Sequence, residues 1–192
     1  MSVSRKTKYN RLMEKAEELF MKYGYKRVSV DDIAAEAGIS KMTIYKYFPS
    51  KEDLFTEIML RMIEKHGKIM EYELKDIASS IDKMEYLFSY GAKAASEYSV
   101  ILVKDIMEMP FVYEKALAYK KERMMCLWER ILKEGIEKGE LRKMDLEFIS
   151  TFLLDLADIF RKPYYLNEEK GMGWMVENLY DLLKYGLLRR KD

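Results

Sequence analysis

Apolar residues recur at three- and four-residue steps along most of this chain, and no sustained alternation rich in β-branched residues interrupts them. That period belongs to helices, so the pattern predicts an all-α protein of about nine helices. The first runs from about Ser4 to Tyr23, with Leu12, Ala16, Leu19 and Phe20 as its stripe and Gly24 just past its end. Ser29 caps the second, with Asp32 three residues on as a variant of the capping box. Ile33, Ala34 and Ala37 face inward, and Gly38 ends that helix with a left-handed turn. Ser40 caps the third helix, which continues to about Phe48. Pro49 stops it, because the residue before a proline avoids the helical region. Ser50 caps the fourth, with Asp53 as the matching acid.

Beyond residue 51 the pattern predicts helices to about residue 75, over 81–97, 99–109 and 111–138, from Asp145 to Pro163, and over 173–189. Pro110 and Gly139 mark two of the breaks. No repeat, low-complexity tract or Gly/Ser linker appears. The expected division is a small N-terminal domain at 1–50, with its key element at 29–48, and a larger helical domain at 51–192.

Two helices joined by a three-residue turn with a central glycine form a helix-turn-helix. Ala34 is small where the helices cross, Gly38 makes the turn, and Ile44 and Phe48 fix the inner face of the third helix. At about 100° per residue, Met42 and Lys46 then point most nearly outward, flanked by Thr43 and Tyr45. That outward side suits the major groove of double-stranded DNA. Lys41 can reach guanine acceptors or a phosphate, and Thr43 can donate to either while its methyl meets a thymine methyl. Tyr45, Tyr47 and Lys51 are placed to bind phosphates. The helix starts at Ser29 and at Ser50-Lys51 offer free N–H groups and a positive dipole end. Asp31 and Asp32 sit awkwardly beside a phosphate and are read as stabilising the cap and dipole.

Charge distribution supports a DNA-binding head. Residues 1–51 carry 11 Lys/Arg against 6 Asp/Glu, a net of +5, and the remainder 23 against 27, a net of −4, within a whole-chain charge of +1. A basic head on an acidic body points to a polyanion at the head alone. Composition excludes several other classes. The 192 residues include one cysteine, Cys126, and one histidine, His66, so no disulfide and no His/Cys zinc cluster can form within a chain. Cys126 is expected to be a small buried hydrophobe, and His66 a structural or exposed residue. No glycine-rich phosphate loop occurs, and neither an enzymatic activity nor a cofactor is expected. The N-terminus lacks the apolar segment of a secretion signal, and no apolar run is long enough to span a bilayer, so a cytoplasmic location without membrane contact is expected.

"GYKRVSVDDIAAEAGISKMTIYKYFPSKEDLF" resembles the DNA-binding head of the TetR family of bacterial transcriptional regulators. It carries the family's glycine-aromatic pair, capped "IA", alanine-glycine, serine, "T-hydrophobic-Tyr", "F" and "SKE-Leu" ending. The likeness spans about residues 6–66. It implies that Lys41, Met42, Thr43, Tyr45, Tyr47 and Lys51 lie at DNA-contacting positions and that Ser29 meets a phosphate. The family often has an aromatic where Lys46 stands, histidine at Tyr47 and a small residue at Met42.

The resemblance also implies a homodimer paired through the last two helices. Phe152, Leu156, Ile159 and Phe160 lie on the first of them, and Leu179, Leu182 and Leu183 on the second. It further implies a small-molecule effector in residues 52–143. Methionines and aromatics suit an adaptable apolar pocket, and the candidates are Met59, Met62, Met107, Phe111, Met124 and Trp128. Asp155 is added as a candidate for a cationic group. Asp105 and Glu108 are expected to face solvent. The function expected is a ligand-responsive dimeric repressor, released from a pseudo-palindromic operator by a mostly apolar effector. The alternatives are a small-molecule-binding or enzymatic helical bundle, or a regulator controlled by a protein partner.

Overall fold

The computed structural model describes residues 3–96, 100–159, 174, 177–178, 181–182 and 185–186. Every regular element it describes is a helix: α1 (Val3–Tyr23), α2 (Val30–Ala37), α3 (Lys41–Tyr47), α4 (Lys51–Glu73), α5 (Ser80–Ser96), α6 (Val100–Met107), α7 (Pro110–Glu137) and α8 (Leu146–Ile159). A single 3-10 turn, Leu74–Asp76, follows α4. The all-α expectation holds. Pro110 is the first residue of α7, where its missing N–H costs nothing and its fixed φ suits a helix start. Of the helix expected over 173–189, the described positions are helical and the rest lies outside the described residues. Among the described residues, no helix is long and apolar enough to cross a membrane.

Two compact units make up the chain: residues 1–64 with 98–119, and residues 65–97 with 120–192. In the first, α1 packs on α2, α2 on α3, and α6 on α1. Its core is built on Leu12, Ala16 and Phe20 of α1, Ile33 of α2, Ile44 of α3, Phe55 and Ile58 of α4, and Leu102 of α6. Phe20 and Phe55 meet edge-on with centroids 5.0 Å apart, a favoured arrangement for buried rings. In the second unit, Leu87 of α5, Trp128, Ile131 and Leu132 of α7, and Leu153 of α8 form the core. There α7 is followed by the left-handed turn at Gly139, φ 73°, and Lys138 donates both to Glu134 and to the Ala78 carbonyl.

Two expectations are corrected. Asp105 is buried, at 5% exposure, rather than solvent-facing. It sits one helical step from Leu102 on the side of α6 that packs on α1, where a backbone N–H is available to its carboxylate. Glu108 lies on the outside and pairs with Lys26. Cys126 is exposed rather than buried. The inward face of α7 runs through Leu127, Trp128 and Ile131, and a one-residue step of about 100° turns Cys126 away from it.

Candidate nucleic-acid interface

The interface is assembled by three caps in succession. Ser29 has extended backbone, φ −93° and ψ 161°, and its hydroxyl accepts the Asp32 N–H at 3.1 Å. Asp32 returns the favour, accepting the Ser29 N–H at 2.8 Å and its hydroxyl at 2.6 Å. These bonds hold the Asp32 carboxyl below the usual carboxylate range, as expected when the charged form accepts hydrogen bonds. Asp32 is therefore a cap, and α2 keeps its first turn fixed. At the other end Gly38 is left-handed, φ 58° and ψ 42°, and its carbonyl accepts from Arg11 of α1 at 3.1 Å.

Ser40 caps α3, accepting the Thr43 N–H at 3.2 Å, and its hydroxyl lies 2.8 Å from the Thr43 hydroxyl. Ile44 is 1% exposed and Phe48 8%, so the inner face of α3 is anchored at one-turn spacing. The opposite face carries Met42, Tyr45 and Lys46, all exposed, with Lys41 beside them and Thr43 half-buried. Met42 is the most open of the large apolar side chains here, at 68%. Lys41 pairs with Asp31 at 2.8 Å. Both groups are exposed, so the pair adds little to stability and can open to a phosphate or base.

Tyr47 is half-buried and meets Tyr9 of α1 edge-on, with centroids 5.3 Å apart. Burial, with Glu57 nearby, raises the Tyr9 hydroxyl above its ordinary pKa, and Arg61 opposes the shift. Ser50 caps α4, accepting the Asp53 N–H at 3.0 Å. Next to it, the Lys51 ammonium lies 3.9 Å from the centroid of the Tyr25 ring. Burial lowers the Lys51 pKa, and Asp105 and then Asp32 oppose that shift. Tyr9, Arg11 and Tyr25 are partners that the periodic pattern alone does not single out. Tyr25 does follow Gly24 directly, the glycine-aromatic pair noted in the sequence.

The other candidate residues fall in separate surroundings. Met59 and Met62 are buried in the core of the first unit, whereas Met107 and Phe111 of that unit are exposed at 51% and 60%. In the second unit Trp128 is buried against Phe88, at 5.2 Å between centroids, and Met124 is half-buried on the same core. Asp155 is exposed and pairs with Lys121 at 2.8 Å. It borders an open groove on α8 with Phe148, Thr151 and Phe152. Phe148 and Phe152 are exposed and stacked, with centroids 6.3 Å apart. Leu182 is exposed at 66%. The side chains of Leu156 and Ile159, and residues Phe160, Leu179 and Leu183, lie outside what is described.

Known proteins place this arrangement. Residues 12–58 match the family model of bacterial regulatory proteins of the tetR family. The transcriptional repressor KstR2 of Rhodococcus jostii is 31% identical over 156 residues, which cover 76% of this chain and 74% of that protein. The fatty acid metabolism regulator protein of Bacillus subtilis is 25% identical over 174 residues, covering 86% and 88%. Two solved structures share the fold. The FadR regulator of Bacillus subtilis in complex with stearoyl-CoA has a TM-score of 0.72 at 22% identity, covering 93% of this chain and 99% of its own. A putative regulator from Saccharomonospora viridis in complex with choline has a TM-score of 0.73 at 21% identity, covering 99% and 100%. A glycine-turned helix pair with the tetR signature, and a relative of this similarity across most of its length, lead to one conclusion: the chain belongs to the TetR family of bacterial regulatory proteins.

Proposed function

We propose that this chain is a homodimeric repressor that binds a pseudo-palindromic operator and leaves it when a small, mostly apolar effector binds. The observation that carries the DNA-binding role is the outward face of α3. Its inner residues Ile44 and Phe48 are locked in a core, while Met42, Tyr45 and Lys46 are exposed. In this reading Lys41, Met42 and Thr43 meet base edges, Tyr45, Lys46 and Tyr47 meet the backbone, and Ser29 and Lys51 bind phosphates at two helix starts.

The repressor assignment is supported by the KstR2 relative. The effector assignment is supported by the related FadR structure, which holds stearoyl-CoA, and by the half-buried Met124 and Met125 beside Trp128 in the second unit. Flexible thioether side chains adapt to apolar guests. A long-chain acyl thioester is therefore the first compound to test, with choline, the molecule held by the other related structure, as the second.

An effector can act only through a difference in affinity between the DNA-competent state and another state. A coupling of about 1–3 kcal/mol changes operator affinity by a factor of about 5–150, and operator must weaken the effector by the same factor. Calorimetry of stearoyl-CoA and of choline, with and without operator, tests this. The reading predicts weaker binding of one compound when operator is present. Equal affinity in both conditions removes that compound as an effector. Failure of a broad apolar and cationic library to bind removes the small-ligand part of the reading.

A further inference from the structure

Asp105 is buried in the first unit, yet no contact to base, phosphate or effector has been assigned to it. Its Oδ2 accepts the backbone N–H of Lys26 at 3.0 Å. A carboxylate taken out of water is costly without such partners. Its charge also favours the ammonium of Lys51, where Asp105 and then Asp32 oppose the effect of burial. The Lys26 ammonium is engaged by Glu108 on the outside.

The packing around this carboxylate is close. Gly24, at φ +81°, closes α1 immediately before the anchored residues. A Cβ at Gly24 would come within 2.7 Å of Asp105 Oδ2 and 2.6 Å of Ile101 Cγ2. Glycine suits this close approach of α6, since an added Cβ would force Ile101 or Asp105 to shift and the left-handed φ strains any other residue. From Lys26 the chain needs three more residues to reach the α2 cap at Ser29. Tyr25, between Gly24 and Lys26, carries the ring under Lys51. One hydrogen bond from α6 thus fixes the segment that leads to one helix start and supports the lysine at the other.

We propose that Asp105 is a positioning residue for DNA binding: by holding the 24–26 turn against α6, it sets where Ser29 and Lys51 present themselves to the phosphates. This rests on the phosphate roles proposed for those two residues.

The test compares Asp105→Asn with Asp105→Leu in the full chain, measuring duplex binding over a range of salt alongside thermal unfolding. Both substitutions remove the same charge, so any through-space effect on DNA cancels between them. Asparagine keeps an oxygen that can accept the Lys26 N–H, whereas leucine keeps the branched shape, with bulkier methyl groups, and has no acceptor. The leucine variant leaves the Lys26 N–H unpaired and loses some stability, so both variants are compared below their unfolding transitions. It should bind about tenfold or more weaker than the asparagine variant on every duplex. Its salt dependence should also fall by about one unit, the signature of a lost phosphate contact. A role confined to stability would lower the unfolding temperature and leave the slope alone. Equal affinity and equal slope in the two variants would overturn the proposal. Should the leucine variant not fold, Asp105→Ala measured below its transition takes its place, with the same expectations. Lys51→Ala is measured in parallel. If it weakens binding while the Asp105 pair stays equal, the positioning role alone fails; if it changes neither affinity nor slope, the phosphate role of Lys51 fails and the proposal goes with it.

Discussion

At the scale of single residues, the proposed contacts separate into those that position and those that specify. Lys51→Ala should weaken binding to all duplexes about equally and lower the salt slope by about one, because a phosphate contact releases counterions without reading sequence. Titration of two unrelated duplexes at several salt concentrations checks this. Thr43→Val should instead change the ranking of operator variants, by about 1–3 kcal/mol if the hydroxyl reads a base. The Thr43 hydroxyl is shared with Ser40 in the cap, so the same variant should also cost a little helix stability. Carboxylates add a pH dependence. Hydrogen bonds hold Asp32 below its ordinary pKa, and Lys138 and then Lys83 do the same for Glu134. A carboxylate depressed in the folded state contributes stability that is complete above its unfolded pKa, near 4. That contribution is lost as pH falls through the lower folded value. Chemical denaturation should therefore show a plateau in stability above about pH 5 and a decline below it, shallower when Asp32 is replaced by Asn.

At the scale of elements, the head is legible because its signals are local. Ser29, Gly38, Ser40, Pro49 and Ser50 each act within three or four residues, through a cap, a left-handed turn or a blocked φ. Periodicity then assigns Ile44 to the core and Met42 to the surface without knowledge of any partner helix. Burial of Asp105 is not legible in this way, since its hydrogen-bond partner lies 79 residues away in sequence. A lone acid in an apolar stretch reads as solvent-facing until the fold supplies the N–H that satisfies it. Cys126 fails for a related reason: small and apolar in type, its place is decided by which side of α7 meets α5 and α8. Two substitutions test the helix pair as a unit. Ile44→Ala should destabilise the head by roughly 2–5 kcal/mol, as other buried aliphatic truncations do. Gly38→Ala places a Cβ in the left-handed region, at a cost of roughly 1–2 kcal/mol, and 3.3 Å from the Arg11 guanidinium. Thermal unfolding by circular dichroism reads both. Neither side chain belongs to the proposed contact face, so DNA binding should weaken only in proportion to the folded fraction.

At the scale of the whole molecule, the proposed dimer has the helix-turn-helix of each chain read one half-site. Stacked, exposed Phe148 and Phe152 on α8 are the apolar surface described there that supports such pairing. Phe152→Asp should give a monomer by sedimentation at micromolar concentration, with operator affinity lost and the fold of each chain retained by circular dichroism. The dimer contacts expected at Leu179 and Leu183 rest on the family resemblance, as does the effector. An amphipathic stripe does not say whether a core, a second copy or a ligand covers it. Selection of bound duplexes from a random-sequence library by the purified protein tests the central claim most directly. The account predicts enrichment of two inverted half-sites, their centres about one helical turn of roughly 10 base pairs, or a multiple of it, apart. Absence of any enriched sequence, or enrichment of one unrepeated half-site, would contradict it.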